Sequence, residues 1–107
     1  MSLPGQSADE ATVIKLTNQA LDDTNAQAMG EQLFRLVEEQ GQRNLHLDLG
    51  DVRFVPSMGL GKLVALNKKV RGVGGHLALV NVPAPVYEVF QVTSLNTLLD
   101  VRPKAAG

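Results

Sequence analysis

Apolar and polar residues alternate strictly through Leu45-His46-Leu47-Asp48-Leu49, the period of a half-buried strand. Thr12-Val13-Ile14-Lys15-Leu16-Thr17 is β-branched and reads as an earlier strand, and His76-Leu77-Ala78-Leu79-Val80 as a later one. Between the first two strands, Met29, Leu33, Leu36 and Val37 recur at helical spacing, with Glu31, Arg35, Glu38 and Glu39 mostly off that face. Asp23 or Thr24 can cap this helix, with Gln27 three residues after Thr24 as in a capping box, and Gly41 is a natural stop. A second helical run, Leu60 to Val70, follows Phe54-Val55-Pro56-Ser57. At 100° per residue it places Leu60, Leu63, Val64, Asn67 and Val70 inward and Met58, Lys62, Ala65 and Lys69 outward. Pro83-Ala84-Pro85 opens a third helix with Val86, Val89 and Phe90 as its stripe, and Leu95 to Val101 supplies a turn and a last short strand. Helices alternating with strands predict an α/β fold with right-handed crossovers and a mixed, mostly parallel sheet.

The chain has 107 residues, enough for one core. Residues 1–10 read as a flexible tail or a short edge strand, 11–103 as one domain and 104–107 as a tail. Aromatics are limited to Phe34, Phe54, Phe90 and Tyr87, so the core is aliphatic. The net charge is −1, and there is no basic stripe with interleaved aromatics, so direct nucleic-acid binding is not expected. Cysteine is absent, which removes disulfides, thiolate ligands and a cysteine nucleophile. His46 and His76 lie in separate strands without metal-ligand spacing, so no metal site is expected. No apolar run is long enough to span a bilayer, and residues 1–10 lack the basic start and apolar stretch of a secretory signal. The cytoplasm is the expected location.

Candidate chemistry concentrates at the strand-to-helix junction Phe54-Val55-Pro56-Ser57-Met58-Gly59-Leu60-Gly61. A serine there lies beside unpaired N–H groups at the positive end of a helix, where added negative charge is favoured. Ser57 is therefore the candidate phosphoacceptor. Nucleotide-binding motifs fail here. In a P-loop reading Pro56 occupies the first glycine position and Leu63 follows Lys62; in a dinucleotide reading Val64 replaces the third glycine. The context Pro-Ser-Met-Gly is not a nucleophile elbow. Asp22/Asp23 and Glu38/Glu39 read as a cap and a solvated helix face, so no catalytic constellation is assembled. What remains is a flat surface: Met58, Gly59, Gly61 and Ala65 are small or adaptable, with Lys62 and Lys69 adding positive charge at one rim.

From about Thr12 onward the chain resembles the STAS domain, the fold of bacterial anti-sigma factor antagonists. The resemblance is carried by Leu21-Asp22 between the first strand and helix, by Leu47-Asp48-Leu49 shortly before Phe54-Val55, and by Ser57-Met58-Gly59-Leu60-Gly61. Gly74-Gly75-His76-Leu77-Ala78-Leu79-Val80-Asn81, leading through a helix to Thr93-Ser94-Leu95, completes it. It implies a sheet with helices packed mainly on one side and a non-enzymatic, partner-switching role. An anti-sigma factor of the serine kinase type would phosphorylate Ser57, and a phosphatase would reset it. ATP would belong to the kinase, so this chain needs no cofactor. The implied partner surface is Leu21, Asp22, Pro56, Met58, Gly59, Gly61, Lys62 and Ala65. One departure stands out. The family usually has Asp-Ser-Ser-Gly or Asp-Ser-Thr-Gly where this chain has Pro56-Ser57-Met58-Gly59. Proline supplies neither the carboxylate nor a backbone donor.

Two other readings follow. The chain could be a STAS subunit of another assembly, such as an ABC-type lipid transport complex or a stressosome-like scaffold, binding constitutively without phosphorylation. A small hydrolase with Ser57 as nucleophile would need His46 or His76 as its base.

Overall fold

The structure is a computed structural model and describes residues 11–105. The expected tail or edge strand at 1–10 lies outside these residues, as do the last two of the 104–107 tail. The described chain runs β1 (Thr12–Lys15), α1 (Asp23–Gln40), β2 (Asn44–Asp48), α2 (Ser57–Gly72), β3 (His76–Val82), α3 (Ala84–Val92), a 3₁₀ turn (Leu95–Thr97) and β4 (Asp100–Pro103). The four strands pair in parallel in the order β1-β2-β3-β4. Strand order follows chain order, so every crossover moves the same way. Right-handed crossovers then lay all three helices on one face of the sheet.

The alternation in β2 decides which face that is. Leu45 and Leu47 pair with Leu77 and Leu79 of β3, and all four are buried under the helices. His46 and Asp48 pair with Ala78 and Val80 on the opposite face. There Asp100 of β4 stands with its Oδ2 2.8 Å from His76 Nε2, and it accepts from Arg102 Nη2 at 2.9 Å. The Arg102 hydrogen bonds and the nearby His76 hold the Asp100 carboxyl below its ordinary pKa, against a burial effect that raises it. On the same face burial, together with the charges of Arg102 and His76, lowers the His46 pKa, while Asp100 opposes the shift. Among the described residues no group of His, Asp and Glu is placed to hold a metal ion.

Local signals explain the helix ends. Asp22, rather than Asp23 or Thr24, caps α1: its Oδ1 accepts from the Asn25 N–H at 2.9 Å. The capping box with Gln27 does not form, because the residue three after the cap is Asn25, whose Nδ2 donates to the Ala20 carbonyl at 2.8 Å. Gly41 ends α1 in the left-handed region at φ 68°, where a side chain would be strained. Helix α2 starts at Ser57, one turn before the apolar run, because Pro56 in extended conformation (φ −61°) opens the helix. Its buried arc is Gly59, Leu63, Leu66, Asn67 and Val70. Leu60 and Val64, expected inward, only flank the core, and Leu66 takes the place they were assigned.

Candidate functional site

The junction before α2 is built by cross-ties between two loops. The Arg53 and Phe54 amides donate to the Gln19 carbonyl at 2.6 and 3.3 Å, and the Leu21 amide donates to the Phe54 carbonyl at 3.1 Å. These bonds form an isolated parallel bridge between Ala20 and Phe54. They set the start of α1 beside the start of α2 at the carboxyl ends of the strands.

Asp48 fixes the far side of the same loop. Its Oδ1 accepts from the Gly50 amide at 2.8 Å and from Asn81 Nδ2 at 3.0 Å, with Asn81 held at φ 55°. Burial by itself would raise the Asp48 pKa. The hydrogen bonds from Asn81 and Gly50, helped by Lys15 and Lys104, outweigh it and hold the carboxyl below its ordinary value of 3.8. A carboxyl lowered in the folded state adds stability that is complete above its unfolded pKa and is lost as pH falls through the folded value. Asp48→Ala is therefore expected to cost about 1–3 kcal/mol at neutral pH. The part of the deficit that depends on ionisation should disappear once the pH lies well below 3.8, leaving a smaller difference between the two chains. Urea unfolding of both chains at neutral and acid pH checks this.

Ser57 is the first residue of α2 and is exposed. It does not cap the helix. The cap is Pro56, which supplies no side-chain hydrogen bond, and the first carbonyl–amide bond runs from Leu60 N–H to Pro56 O at 3.0 Å. The Ser57 hydroxyl makes no hydrogen bond among the described residues. Hydroxyl and first-turn amides together form an open, electropositive helix start.

The structure sorts the expected contact residues into two groups. Met58 is 64% exposed, and Gly61, Lys62 and Ala65 are exposed along the same outer side of α2. Pro56 is half-buried, as is Asp22, whose carboxylate is engaged in capping α1. Leu21 and Gly59 are not surface residues. The Leu21 side chain is only 1% exposed, and Gly59 is buried directly against the Leu21 carbonyl, which a Cβ on Gly59 would strike. Both therefore position the site rather than present it. Gly61 has open space around it.

The sequence reading missed one surface residue. Phe54 reads as the end of a strand, yet Gly50-Asp51 turns the chain out of the sheet. Its side chain is 57% exposed, three residues before Ser57. The break at Gly50-Asp51 was the available signal. Phe54, three residues before Ser57, and Met58, one residue after it, are both large exposed apolar side chains. Neither histidine serves Ser57. His46 lies mid-strand on the far face of the sheet, and His76 begins β3 and faces Asp100.

A fold of this topology with a serine at the start of α2 defines a class. The model of the STAS domain family matches residues 5–106, and the chain belongs to that family. It is 32% identical over 87 residues to the anti-sigma-B factor antagonist of Bacillus subtilis, covering 81% of this chain and 78% of that protein. Among solved structures it resembles an anti-sigma-factor antagonist (STAS) domain protein from Planctomyces limnophilus. That match has a TM-score of 0.70 and 25% identity, over 94% of this chain and 86% of the other. A murine Solute Carrier 26 anion transporter shares the fold alone, at a TM-score of 0.66 and 23% identity. The match covers 89% of this chain and 16% of the transporter. No helix among the described residues is long and apolar enough to cross a membrane.

Proposed function

We propose that this chain is a non-enzymatic regulatory module of the cytoplasm, an anti-sigma factor antagonist that binds its anti-sigma factor through the start of α2 and is released by phosphorylation of Ser57. The observation that carries the reading is an exposed, unbonded serine hydroxyl at the first position of α2, with Phe54 and Met58 exposed on either side of it along the chain. The names of its relatives as antagonists support the partner class. The anti-sigma factor would be a serine kinase. It holds the ATP, transfers the γ-phosphoryl group to Ser57 Oγ, and keeps ADP; the hydroxyl proton leaves to the kinase's base. A phosphatase would restore the hydroxyl by hydrolysis.

The physics of the site favours a switch of binding, not of fold. A phosphate carries about −1.5 to −2 charges, and on the first residue of a helix it meets open amides and the positive dipole end. The folded chain accommodates it. A partner seated on Phe54 and Met58 would have to desolvate it, which weakens the complex.

The test is incubation of the purified chain with its anti-sigma factor and ATP, followed by mass spectrometry and gel filtration. One phosphoryl group at Ser57, absent in Ser57→Ala, together with loss of the complex, is expected. A complex that persists with Ser57 unmodified would favour the second reading, a constitutive STAS subunit of a larger assembly such as an ABC-type transport complex or stressosome-like scaffold. That reading is favoured by Pro56, which gives a kinase neither a carboxylate nor a backbone donor beside the hydroxyl.

A further inference from the structure

Helices α1 and α2 leave a groove of about 810 Å³ between their outer faces, lined by Gly30, Phe34, Ala65 and Leu66, with Lys62 and Lys69 on one rim. The floor is apolar, and small residues keep it open. A side chain at Gly30 would press on Leu66, whose Cδ1 lies 3.3 Å from where its Cβ would be. From Ala26 to Phe34 the groove runs about 12 Å at 1.5 Å per residue, the length of two to three helical turns. Lys62 and Lys69 are exposed and make no ion pair among the described residues. The opposite rim, Gln27, Glu31 and Arg35 on α1, holds one carboxylate beside one guanidinium.

We propose that this groove seats an amphipathic helix of the partner protein, its apolar stripe on Gly30, Phe34 and Ala65 and its acidic flank over Lys62 and Lys69. The occupant is argued from shape and charge. Small residues on both walls let a third helix approach to packing distance, and a stripe at i, i+3, i+4 and i+7 matches the length of the floor. A second copy of this chain fits less well. A two-fold contact would bring the α1 row against the α2 row and offer Glu31 alone, with Arg35 beside it, to two lysines. The surface continues the row that begins at Met58, so the inference rests on the reading of α2 as a partner face and adds the chemistry of what docks there.

The probe is a synthetic helical peptide of about 12 residues, with leucines on one face and glutamates on the flank. A second peptide has lysines in place of the glutamates. Each is titrated into the full ¹⁵N-labelled chain, and the amide resonances are followed by NMR. The acidic peptide is expected to shift Gly30, Phe34, Ala65 and Lys69 saturably and to bind about tenfold more tightly than the basic one. Lys62→Glu with Lys69→Glu should reverse that order, with an unchanged thermal melt showing that the fold is kept. Three results would overturn the proposal: no saturable shift at these amides, equal affinity for both peptides, or the same shifts on concentrating the chain without peptide, which would mean a second copy fills the groove. The titration contains no anti-sigma factor and no ATP. Its failure would leave the Ser57 reading standing, and failure of that reading would leave the titration intact.

Discussion

Gly59→Ala is expected to destabilise the domain by about 2–3 kcal/mol, the range for forcing extra volume into a packed site. For a domain of this size that lowers the melting temperature by on the order of 10 °C. The added methyl group would meet the Leu21 carbonyl oxygen, with the Leu21 carbonyl carbon at 3.0 Å and Val55 Cγ1 at 3.2 Å. Backbone atoms cannot rotate away as a side-chain end can. The start of α2 must therefore lift off the loop that carries Leu21, and Ser57 moves with it. The helix propensity of alanine returns only about 1 kcal/mol. Gly61→Ala is the matched control. It lies two residues on in the same helix with nothing within 4 Å of an added Cβ. That chain should be as stable as the parent, or more stable by up to about 1 kcal/mol. Differential scanning calorimetry of both variants reads the contrast. If the Gly59 and Gly61 variants melt together, the close approach of α2 to Leu21 is not what holds the site.

Ser57→Glu should move stability and binding in opposite directions. A carboxylate in the first turn of α2 interacts favourably with the helix dipole and should add about 0.3–1 kcal/mol to the fold. The same charge falls in a segment where Phe54 and Met58 are both exposed apolar surface. A partner covering that surface strips water from the carboxylate, and binding should weaken by about 2–3 kcal/mol, or roughly 30- to 150-fold. Thermal melts give the first quantity and competition binding against the parent chain the second. A structural role for Ser57 would lower both together. Loss of affinity in a chain that melts no earlier separates a switch from a damaged fold.

Most of the fold was legible because its elements carry clean periodicities. The alternation of Leu45, Leu47 and Leu49 placed β2, and Met29, Leu33 and Val37 placed the buried stripe of α1. Gly41 and the Pro83–Pro85 segment marked ends that the structure keeps. Some errors arose where a long-range contact overrides a local pattern. The inner arc of α2 includes Gly59, which sinks against the Leu21 carbonyl of a loop far away in sequence, and Leu66 rather than Leu60 faces inward. At the start of α1 the miss was local: Asp22, one residue before the expected caps, accepts from the Asn25 amide. At the site, exposure of Met58 and Lys62 followed from helical geometry. Burial of Leu21 and Gly59 did not, because the Ala20–Phe54 bridge that stacks the two loops has no sequence period. Exposure of Phe54 could have been drawn from the break at Gly50-Asp51, which turns the chain out of the sheet before it.

The central claim is that charge on Ser57 controls partner binding through the surface of α2. The most direct measurement is isothermal titration calorimetry of the anti-sigma factor against the chain, before and after stoichiometric phosphorylation of Ser57. A dissociation constant about 100-fold or more weaker after phosphorylation, near 3 kcal/mol, is expected. Equal dissociation constants for the two forms would contradict it and make this chain a constitutive STAS adaptor.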